Sequence, residues 1–413
     1  MKRSIAVIFE RFGPYHCARL RALAAQGPAV AIEVFRKDTT YQWDVVDDSQ
    51  GFRRVTLFPE PMAGQPPLGD LHRRLHRCLA NEQPRVVAIP GWSAPYARLA
   101  LSWCLKTHTP AVLMSESTAL DRRRTFLGER IKGKLLCLYQ AALAGGSRQT
   151  QYLRYLGLPK TAVFPGYDVV DNSHFGRCQP GREAWAGPRE SFLVCCRFIP
   201  EKNLLRLFQA YARYRRTAGS TAWELVIAGD GPEGDRVGGA IKTLHLTGSV
   251  RFVGFVQYEG LPAFYGEAGG FILPSVSETW GLVVNEAMAA GLPVLVSNRC
   301  GCAPDLVEEG RNGFTFNPYD TEELARLMLR VSSMTKDERA AMGQASREII
   351  SRWTPETFAT NLIKAVEVAM AAPRPKATLL DEALLSALIH RPISSASPAK
   401  QTTAPERIRN FES

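Results

Sequence analysis

Two glutamates interrupt the apolar stretch PSVSETWGLVVNEAMAAGLPVLVSN, which covers residues 274–298. Glu278 precedes a helical pattern, and Glu286 lies inside that pattern, about one and a half turns after a helix start near Gly281. An ionised carboxylate accepts two hydrogen bonds at once, so both residues suit the binding of paired sugar hydroxyls near the mouth of a sheet. The alternative makes Glu286 an ordinary helix residue and Glu278 a charge that complements the helix dipole.

The helix after Glu278 is predicted to begin at Trp280 and Gly281, with Ser277 or Thr279 as its cap. Unpaired N–H groups at such a start attract phosphate or hydroxyl oxygens. The segment therefore indicates a polar ligand at the end of a strand.

Two cations follow an earlier strand pattern in the segment CCRFIPEKN. Arg197 comes directly after the strand, and Lys202 stands at the entry to the next helix. A planar guanidinium and a compact ammonium together suit a diphosphate. A surface Arg and Lys on a loop would explain this pattern in isolation, but the two glutamates favour a binding site.

The elements that must position these residues alternate between strands and helices, which predicts an α/β protein with parallel, doubly wound sheets. The strand patterns are SIAVIF, VAIEVF, RVVAIPG, AVLMSES and AALAGGS in the first half, and SFLVCCRF, WELVIAGD, VRFVGFV, GGFILPS, LPVLVSN and GFTFN in the second. A polar stretch without periodicity, residues 179–190, is the predicted linker. Two tandem units of this kind leave a cleft between them, where ligands bind.

These motifs resemble, in order and spacing, the family 4 glycosyltransferases, which are retaining enzymes of the GT-B fold with two Rossmann-like domains. The motifs are CCRFIPEKN, VIAGDGPE, VRFVGFV, the Glu278–Glu286 pair and GRNGFTFNPYD. The resemblance covers about residues 190–355, and the first half matches in architecture alone. It implies an acceptor-side domain at 1–187, a donor domain at 188–352, a closing helix at 353–375 that returns to the first domain, and a helical or disordered tail at 376–413.

The resemblance also implies a role for individual residues. Arg197 and Lys202 would hold the diphosphate of a nucleotide sugar, and Glu278 would bind the transferred sugar. The backbone N–H groups of Trp280, Gly281 and Leu282 would assist Glu278, Glu286 would hold the ribose, and Val256 would contact the base. Cations and helix N-termini stabilise the leaving diphosphate, so neither a metal nor another cofactor is expected.

The first half departs from the family pattern at two places. The loop after the first strand, in FERFGPYHCARL, has only Gly13 where many relatives have two glycines, and Gly13 can still let the backbone approach the donor phosphate. His16 after it is an acceptor-side candidate, although a structural role is the favoured interpretation of a lone histidine. Where many relatives have an acceptor-side histidine, this chain has Ser115 or Glu116. Glu116 is a candidate acceptor contact or base, and the alternative is a helix cap formed nearby by Ser117 or Asp121.

The charge of the chain is concentrated in the first half. Residues 1–187 contain 26 Lys and Arg but 15 Asp and Glu, whereas the remainder contains 25 of each. Arg122 belongs to the basic run DRRRTFLGERIKGK, which could contact a phosphate-bearing acceptor or an anionic membrane, or simply face water. No nucleic-acid recognition motif accompanies the charge, and His72 and His76 fit an exposed helix better than a metal site.

The nine cysteines lack zinc-type spacing, which favours reduced thiols in a cytoplasmic protein. The start MKRSIAVIFERFG is too short and too soon charged for a signal peptide. The predicted function is retaining transfer of a hexose-type sugar from a UDP- or GDP-linked donor, in the cytoplasm or at the inner face of the membrane. A nucleotide-sugar epimerase of the same fold and a non-catalytic sugar-nucleotide-binding protein are the alternatives.

Overall fold

The computed structural model describes residues 4–36, 44, 46, 51–60, 66–121, 124–177, 190–373 and 378–390. Almost all of the predicted linker at 179–190, the tail beyond residue 390 and the candidate Arg122 lie outside these residues. Two parallel sheets, each covered by helices on both faces, make up the described chain.

The N-terminal domain is built on a seven-stranded sheet in the order β3-β2-β1-β4-β5-β6-β7. Its strands are β1 (Ile5–Phe9), β2 (Ala29–Phe35), β3 (Arg53–Phe58), β4 (Val86–Pro90), β5 (Ala111–Ser115), β6 (Ala141–Ala144) and β7 (Val163–Phe164). Its helices are α1 (Pro14–Gln26), α2 (Leu68–Glu82), α3 (Pro95–Thr107), α4 (Phe126–Leu136), α5 (Ser147–Tyr155) and α6 (Asn172–Gly176). Sequence patterns predict every strand of this sheet except β3 and β7.

The C-terminal domain contains a six-stranded sheet in the order β10-β9-β8-β11-β12-β13. Its strands are β8 (Ser191–Cys195), β9 (Glu224–Ala228), β10 (Val250–Gly254), β11 (Gly270–Leu273), β12 (Val294–Ser297) and β13 (Gly313–Phe316). Its helices are α7 (Leu204–Ala218), α8 (Gly234–Thr243), α9 (Leu261–Glu267), α10 (Leu282–Ala289), α11 (Ala303–Leu306), α12 (Thr321–Ser332) and α13 (Lys336–Ile350). Two further helices, α14 (Pro355–Ala371) and α15 (Leu379–Ile389), follow it in the chain and pack on the N-terminal domain. The central strands are continuous apolar runs because helices bury both of their faces.

The order of strands in the second sheet explains why distant motifs meet. Strands β8 and β11 pair directly, and the chain proceeds from them toward opposite edges of the sheet. The loops that follow these two strands therefore diverge and leave a crevice at their carboxyl ends. This place, where the order of the strands reverses, is the switch point of the sheet. Arg197 and Lys202 follow β8, and Glu278 follows β11, so all three residues lie at the switch point.

Two segments cross between the domains. Helix α14 packs its apolar face, including Phe358 and Leu362, into the core that β1 and α1 form in the N-terminal domain. In the other direction, Phe175 of α6 packs into the core of the C-terminal domain, although the sequence places it before the predicted boundary at residue 187. Each domain thus receives part of its core from a segment that is next to the other domain in the sequence.

Leu362→Ala is expected to lower the free energy of unfolding by about 2–5 kcal/mol, because it leaves a cavity under α14. Met370→Ala is the matched control on the same helix, since half of that side chain is exposed, and should cost below about 0.5 kcal/mol. Urea unfolding followed by circular dichroism measures both. Equal effects would mean that α14 is not docked on the N-terminal domain.

Candidate active site

The centre of the site is an ion pair between Lys202 and Glu278. The Lys202 Nζ donates a short hydrogen bond to Glu278 Oε2, and less than a fifth of either side chain is exposed. Ser275 adds a weaker bond to the same carboxylate oxygen, at 3.4 Å. Burial lowers the pKa of Lys202, but the charge and hydrogen bond of Glu278 outweigh burial and raise it overall. The lysine is therefore held as a cation beside the carboxylate.

Backbone contacts fix the two loops that carry this pair. The Val276 N–H donates to the Glu201 carbonyl at 2.9 Å, which joins the loop after β11 to the loop after β8. On the other side, the Gly301 N–H donates to the Glu278 carbonyl at 3.0 Å. Gly229 makes a third close approach, since a Cβ there would stand 1.9 Å from the Cys196 carbonyl oxygen. The glycine is needed because the turn after β9 packs directly on the loop that carries Arg197.

Arg197 itself is exposed at the end of β8, as a residue that contacts a ligand should be. Val256 is half-buried and packs on the same core as α10. The Trp280 ring is buried against Trp353, with 4.9 Å between ring centroids, and its Nε1 donates to Asn285 Oδ1 at 2.9 Å. The indole thus anchors the start of α10, and only its backbone can serve a ligand.

The predicted cap of α10 is wrong. The cap position is Gly281, in the left-handed conformation at φ 111°, and it provides no side-chain hydrogen bond. Ser277 and Thr279 turn instead toward the N-terminal domain, where they donate to the Asp121 carbonyl at 3.2 Å and to Glu116 Oε2 at 3.3 Å. Gly281 is required for a second reason, since a Cβ there would lie 2.9 Å from Leu273 Cδ2. Tertiary contacts, not local capping, determine this helix start.

Glu286 is fully buried rather than open at a mouth. Its Oε1 accepts a hydrogen bond from the Tyr15 hydroxyl at 2.5 Å, and its Oε2 accepts one from the Tyr265 hydroxyl at 2.6 Å. Burial raises the pKa of Glu286 to about 7, and the two phenol hydrogen bonds only partly oppose this effect. Tyr15 belongs to α1, so this carboxylate also joins the two domains.

The acceptor-side candidates stand on the opposite wall of the cleft. Ser115 is buried at the end of β5, and Glu116 after it reaches the C-terminal domain through Thr279. Below them lies Asp168, whose carboxylate is buried 3.8 Å from the Arg19 guanidinium. Burial, followed by the charge of Glu116, raises the pKa of Asp168 well above its usual range. The alternative of a helix cap at this place does not apply, because α4 begins at Phe126 and is capped by Thr125.

His16 contacts the start of α1, and the backbone conformation at residue 13 does not require a glycine. The His16 Nδ1 accepts a hydrogen bond from the Gly13 N–H at 3.1 Å and so caps α1. Burial lowers the pKa of His16 to about 3, so the ring stays neutral. Gly13 has an extended backbone, and a Cβ there would make only an ordinary contact with His16. His76 bonds the Leu99 carbonyl through its ring.

The described part of the basic run is mostly engaged within the protein. Arg124 pairs with Asp121, donates to the Thr118 carbonyl and lies 4.6 Å from the centroid of the Tyr152 ring. Lys132 pairs with Glu129 at 2.8 Å. Arg130 and Lys134 remain exposed on α4.

Solved structures with the same arrangement of two sheets cover nearly all of this chain. Sucrose-phosphate synthase from Thermosynechococcus elongatus aligns with a TM-score of 0.70 at 19% identity, over 90% of this chain and 100% of that one. Anabaena HepE in complex with UDP and glucose aligns with a TM-score of 0.70 at 17% identity, over 88% and 99%. These likenesses confirm the predicted GT-B fold.

Residues 179–349 match the family described as glycosyl transferases group 1. This chain has the GT-B fold, and the match to the group 1 glycosyl transferases lies in its C-terminal half. The matched stretch contains Arg197, Lys202, Glu278 and Glu286. The group 1 domain therefore includes the whole switch point of the second sheet.

Curated relatives of the group 1 domain match over only part of their length. Sulfoquinovosyl transferase SQD2 of Arabidopsis thaliana is 43% identical over 100 residues, which are 24% of this chain and 19% of that protein. A GDP-mannose-dependent phosphatidylinositol monomannoside mannosyltransferase of Mycobacterium tuberculosis is 29% identical over 184 residues, 43% and 47% of the two chains. Glycogen synthase of the same species is 32% identical over 212 residues, 49% of each chain. This chain thus spans between a fifth and a half of these relatives.

Tyr15, Tyr265 and Asp168 are not among the site residues that the sequence predicts. The tyrosines appear as apolar positions in helical patterns, and Asp168 as a loop residue. One signal for the tyrosines did exist, because a carboxylate inside an apolar helix requires hydrogen-bond donors from elsewhere. Nothing in the sequence identifies those donors.

Glu286→Gln is expected to flatten the pH dependence of stability. The folded pKa of Glu286, about 7, lies above its ordinary value of 4.5, so its stabilising contribution is complete below pH 4.5 and is lost as the pH rises through 7. This shift corresponds to about 3 kcal/mol. Urea unfolding of wild type and variant across this range measures it, with the exposed Glu356→Gln as the control that keeps the wild-type slope. Parallel slopes for Glu286→Gln and wild type would contradict the assignment.

Proposed function

We propose that this protein transfers a hexose-type sugar from a UDP- or GDP-linked donor to an acceptor hydroxyl, with retention of configuration and without a metal. The observation that carries the proposal is the Lys202–Glu278 pair at the switch point of the second sheet, with the exposed Arg197 on the same loop as Lys202. The match of residues 179–349 to the group 1 glycosyl transferases supports the proposal. So does the GT-B neighbour whose structure contains UDP and glucose.

In this reaction the bond between the sugar C1 and the diphosphate oxygen breaks as the acceptor oxygen bonds to C1 from the same face. Arg197 and Lys202 stabilise the charge that develops on the diphosphate. The acceptor proton passes to the leaving phosphate oxygen, so Glu278 is not needed as a nucleophile. Glu278 orients the sugar through its hydroxyls, and the hydrogen bond from Lys202 holds that carboxylate in place.

The two alternatives differ in what the site must do. An epimerase would release the free sugar or an epimer without a second hydroxyl compound, and a binding protein would leave the donor intact. The presence of Arg197, Lys202, Glu278 and Glu286 together favours transfer over both. Mass spectrometry of the products from UDP- and GDP-sugars, with lipid-linked and soluble acceptors, separates these three functions.

Glu278→Ala is expected to lower both sugar transfer and donor hydrolysis at least about a hundred-fold, because the sugar loses its orienting carboxylate. Donor turnover measured by mass spectrometry checks this. Glu224→Ala is the matched control, since Glu224 is also ion-paired, to Arg251 at 3.3 Å, but at the opposite end of the sheet. Unchanged turnover in Glu278→Ala would remove the assigned role.

We also propose that the N-terminal domain contacts an anionic membrane surface through α4 and α15. These helices are in contact, and they expose Phe126, Leu127, Leu379 and Leu380 by 68–87%. The exposed cations Arg130 and Lys134 lie on the same helix as Phe126 and Leu127, and the Arg130 guanidinium lies 5.5 Å from the centroid of the Phe126 ring. Exposed cations and apolar side chains on one helix suit anionic lipid. Among the described residues, no helix has the length and apolar character needed to cross a bilayer.

The double variant Phe126→Ser, Leu127→Ser is expected to weaken binding to phosphatidylglycerol-containing vesicles at least about ten-fold, because it removes the inserted apolar area. Vesicle flotation measures this, and nucleotide affinity should not change. Tyr319→Ser, which removes a half-exposed ring from the C-terminal domain, is the control. Wild-type binding to neutral and anionic vesicles alike, or to neither, would contradict the proposed surface.

A further inference from the structure

Glu286 has no open path to a ligand in this structure. The side chain is fully buried, and each carboxylate oxygen already accepts a phenol hydrogen bond. Tyr265 lies on α9, in the same domain as Glu286, whereas Tyr15 comes from α1 across the cleft. One of the two donors to this carboxylate is therefore removed whenever the domains separate.

The contacts of Tyr15 tie its hydroxyl to the closed cleft. Its ring packs edge-on against Tyr258 of the C-terminal domain, with 5.7 Å between ring centroids, and contacts the apolar core around α10. A tyrosine hydroxyl and a ribose hydroxyl are the same kind of donor to a carboxylate. Glu286 is fully buried and the Tyr15 hydroxyl fills the space 2.5 Å from Oε1, so a ribose hydroxyl reaches that oxygen only where Tyr15 has moved aside.

We propose that Tyr15 gates the donor site: its hydroxyl occupies Glu286 Oε1 in the nucleotide-free protein and gives way to a ribose hydroxyl when the donor binds. This inference rests on the proposed role of Glu286 as the ribose ligand. The exchange replaces one O–H to carboxylate hydrogen bond with another, and a buried carboxylate is never left without a donor.

The gate lowers the apparent affinity for nucleotide, because only molecules with a free Oε1 can bind the ribose fully. Tyr15→Phe removes the competing hydroxyl but keeps the ring that packs on Tyr258. The variant is therefore expected to bind UDP or GDP about ten-fold more tightly than wild type, which corresponds to about 1.4 kcal/mol. The gain should disappear with the 2′,3′-dideoxy nucleotide, since that ligand does not compete for Glu286.

Isothermal titration of the full chain with UDP, GDP and their dideoxy analogues measures these affinities. Tyr265→Phe is the matched control on the other oxygen of the same carboxylate, and it should not tighten binding, because Tyr265 does not need to move. Tyr152→Phe, which removes a tyrosine to glutamate hydrogen bond of 2.7 Å within the N-terminal domain, should leave affinity unchanged.

Each result of these titrations either supports or contradicts the proposal that Tyr15 gates the donor site. Tighter binding in Tyr15→Phe alone, and only for nucleotides with ribose hydroxyls, supports the gate. Unchanged or weaker binding in Tyr15→Phe, or equal tightening in Tyr265→Phe, overturns it and leaves the proposed function intact. A wild-type protein that binds neither UDP nor GDP overturns the proposed function together with the gate.

Discussion

The ion pair between Lys202 and Glu278 is the interaction on which the rest of the site depends. It joins the loops that leave two neighbouring strands, β8 and β11, at the point where the chain turns toward opposite edges of the sheet. Two partly buried charges are stable in this position because each satisfies the other, and either one alone would be unfavourable. The pair thereby holds a carboxylate and an ammonium at the crevice where this kind of sheet binds ligands.

Polar contacts, which can be exchanged for ligand contacts, cross the cleft between the domains. Tyr15 reaches Glu286, Thr279 reaches Glu116, and the Ser147 hydroxyl reaches Asp305 at 2.9 Å. Each is a hydrogen bond from a protein hydroxyl to a carboxylate, so a sugar or ribose hydroxyl could take the place of the protein hydroxyl. Closure over a donor would then be a rearrangement of existing polar partners, consistent with the mobile interfaces that join domains in one chain.

Much of the fold could be predicted because its strands are buried on both faces and read as continuous apolar runs, such as β8 and β11. Strand β3 escaped prediction because it is an edge strand that begins with two arginines and is half exposed, and β7 because it has only two residues. The predicted cap of α10 was wrong because Ser277 and Thr279 bond across the cleft, and a sequence contains no information about that neighbour.

The amino-acid sequence by itself determined the two parallel sheets and the residue types of the site, since hydrophobic periodicity and the pairing of Arg197 and Lys202 with two glutamates are properties of the chain order. Only the tertiary structure decided what those residues contact. Glu278 became one half of an ion pair. Glu286 became a buried carboxylate with a pKa of about 7, held by Tyr15, which lies 271 positions earlier in the chain, and by Tyr265, which lies 21 positions earlier. The physical reason is that burial and hydrogen-bond partners depend on which elements pack together, and one of the two partners of Glu286, Tyr15, comes from the other domain.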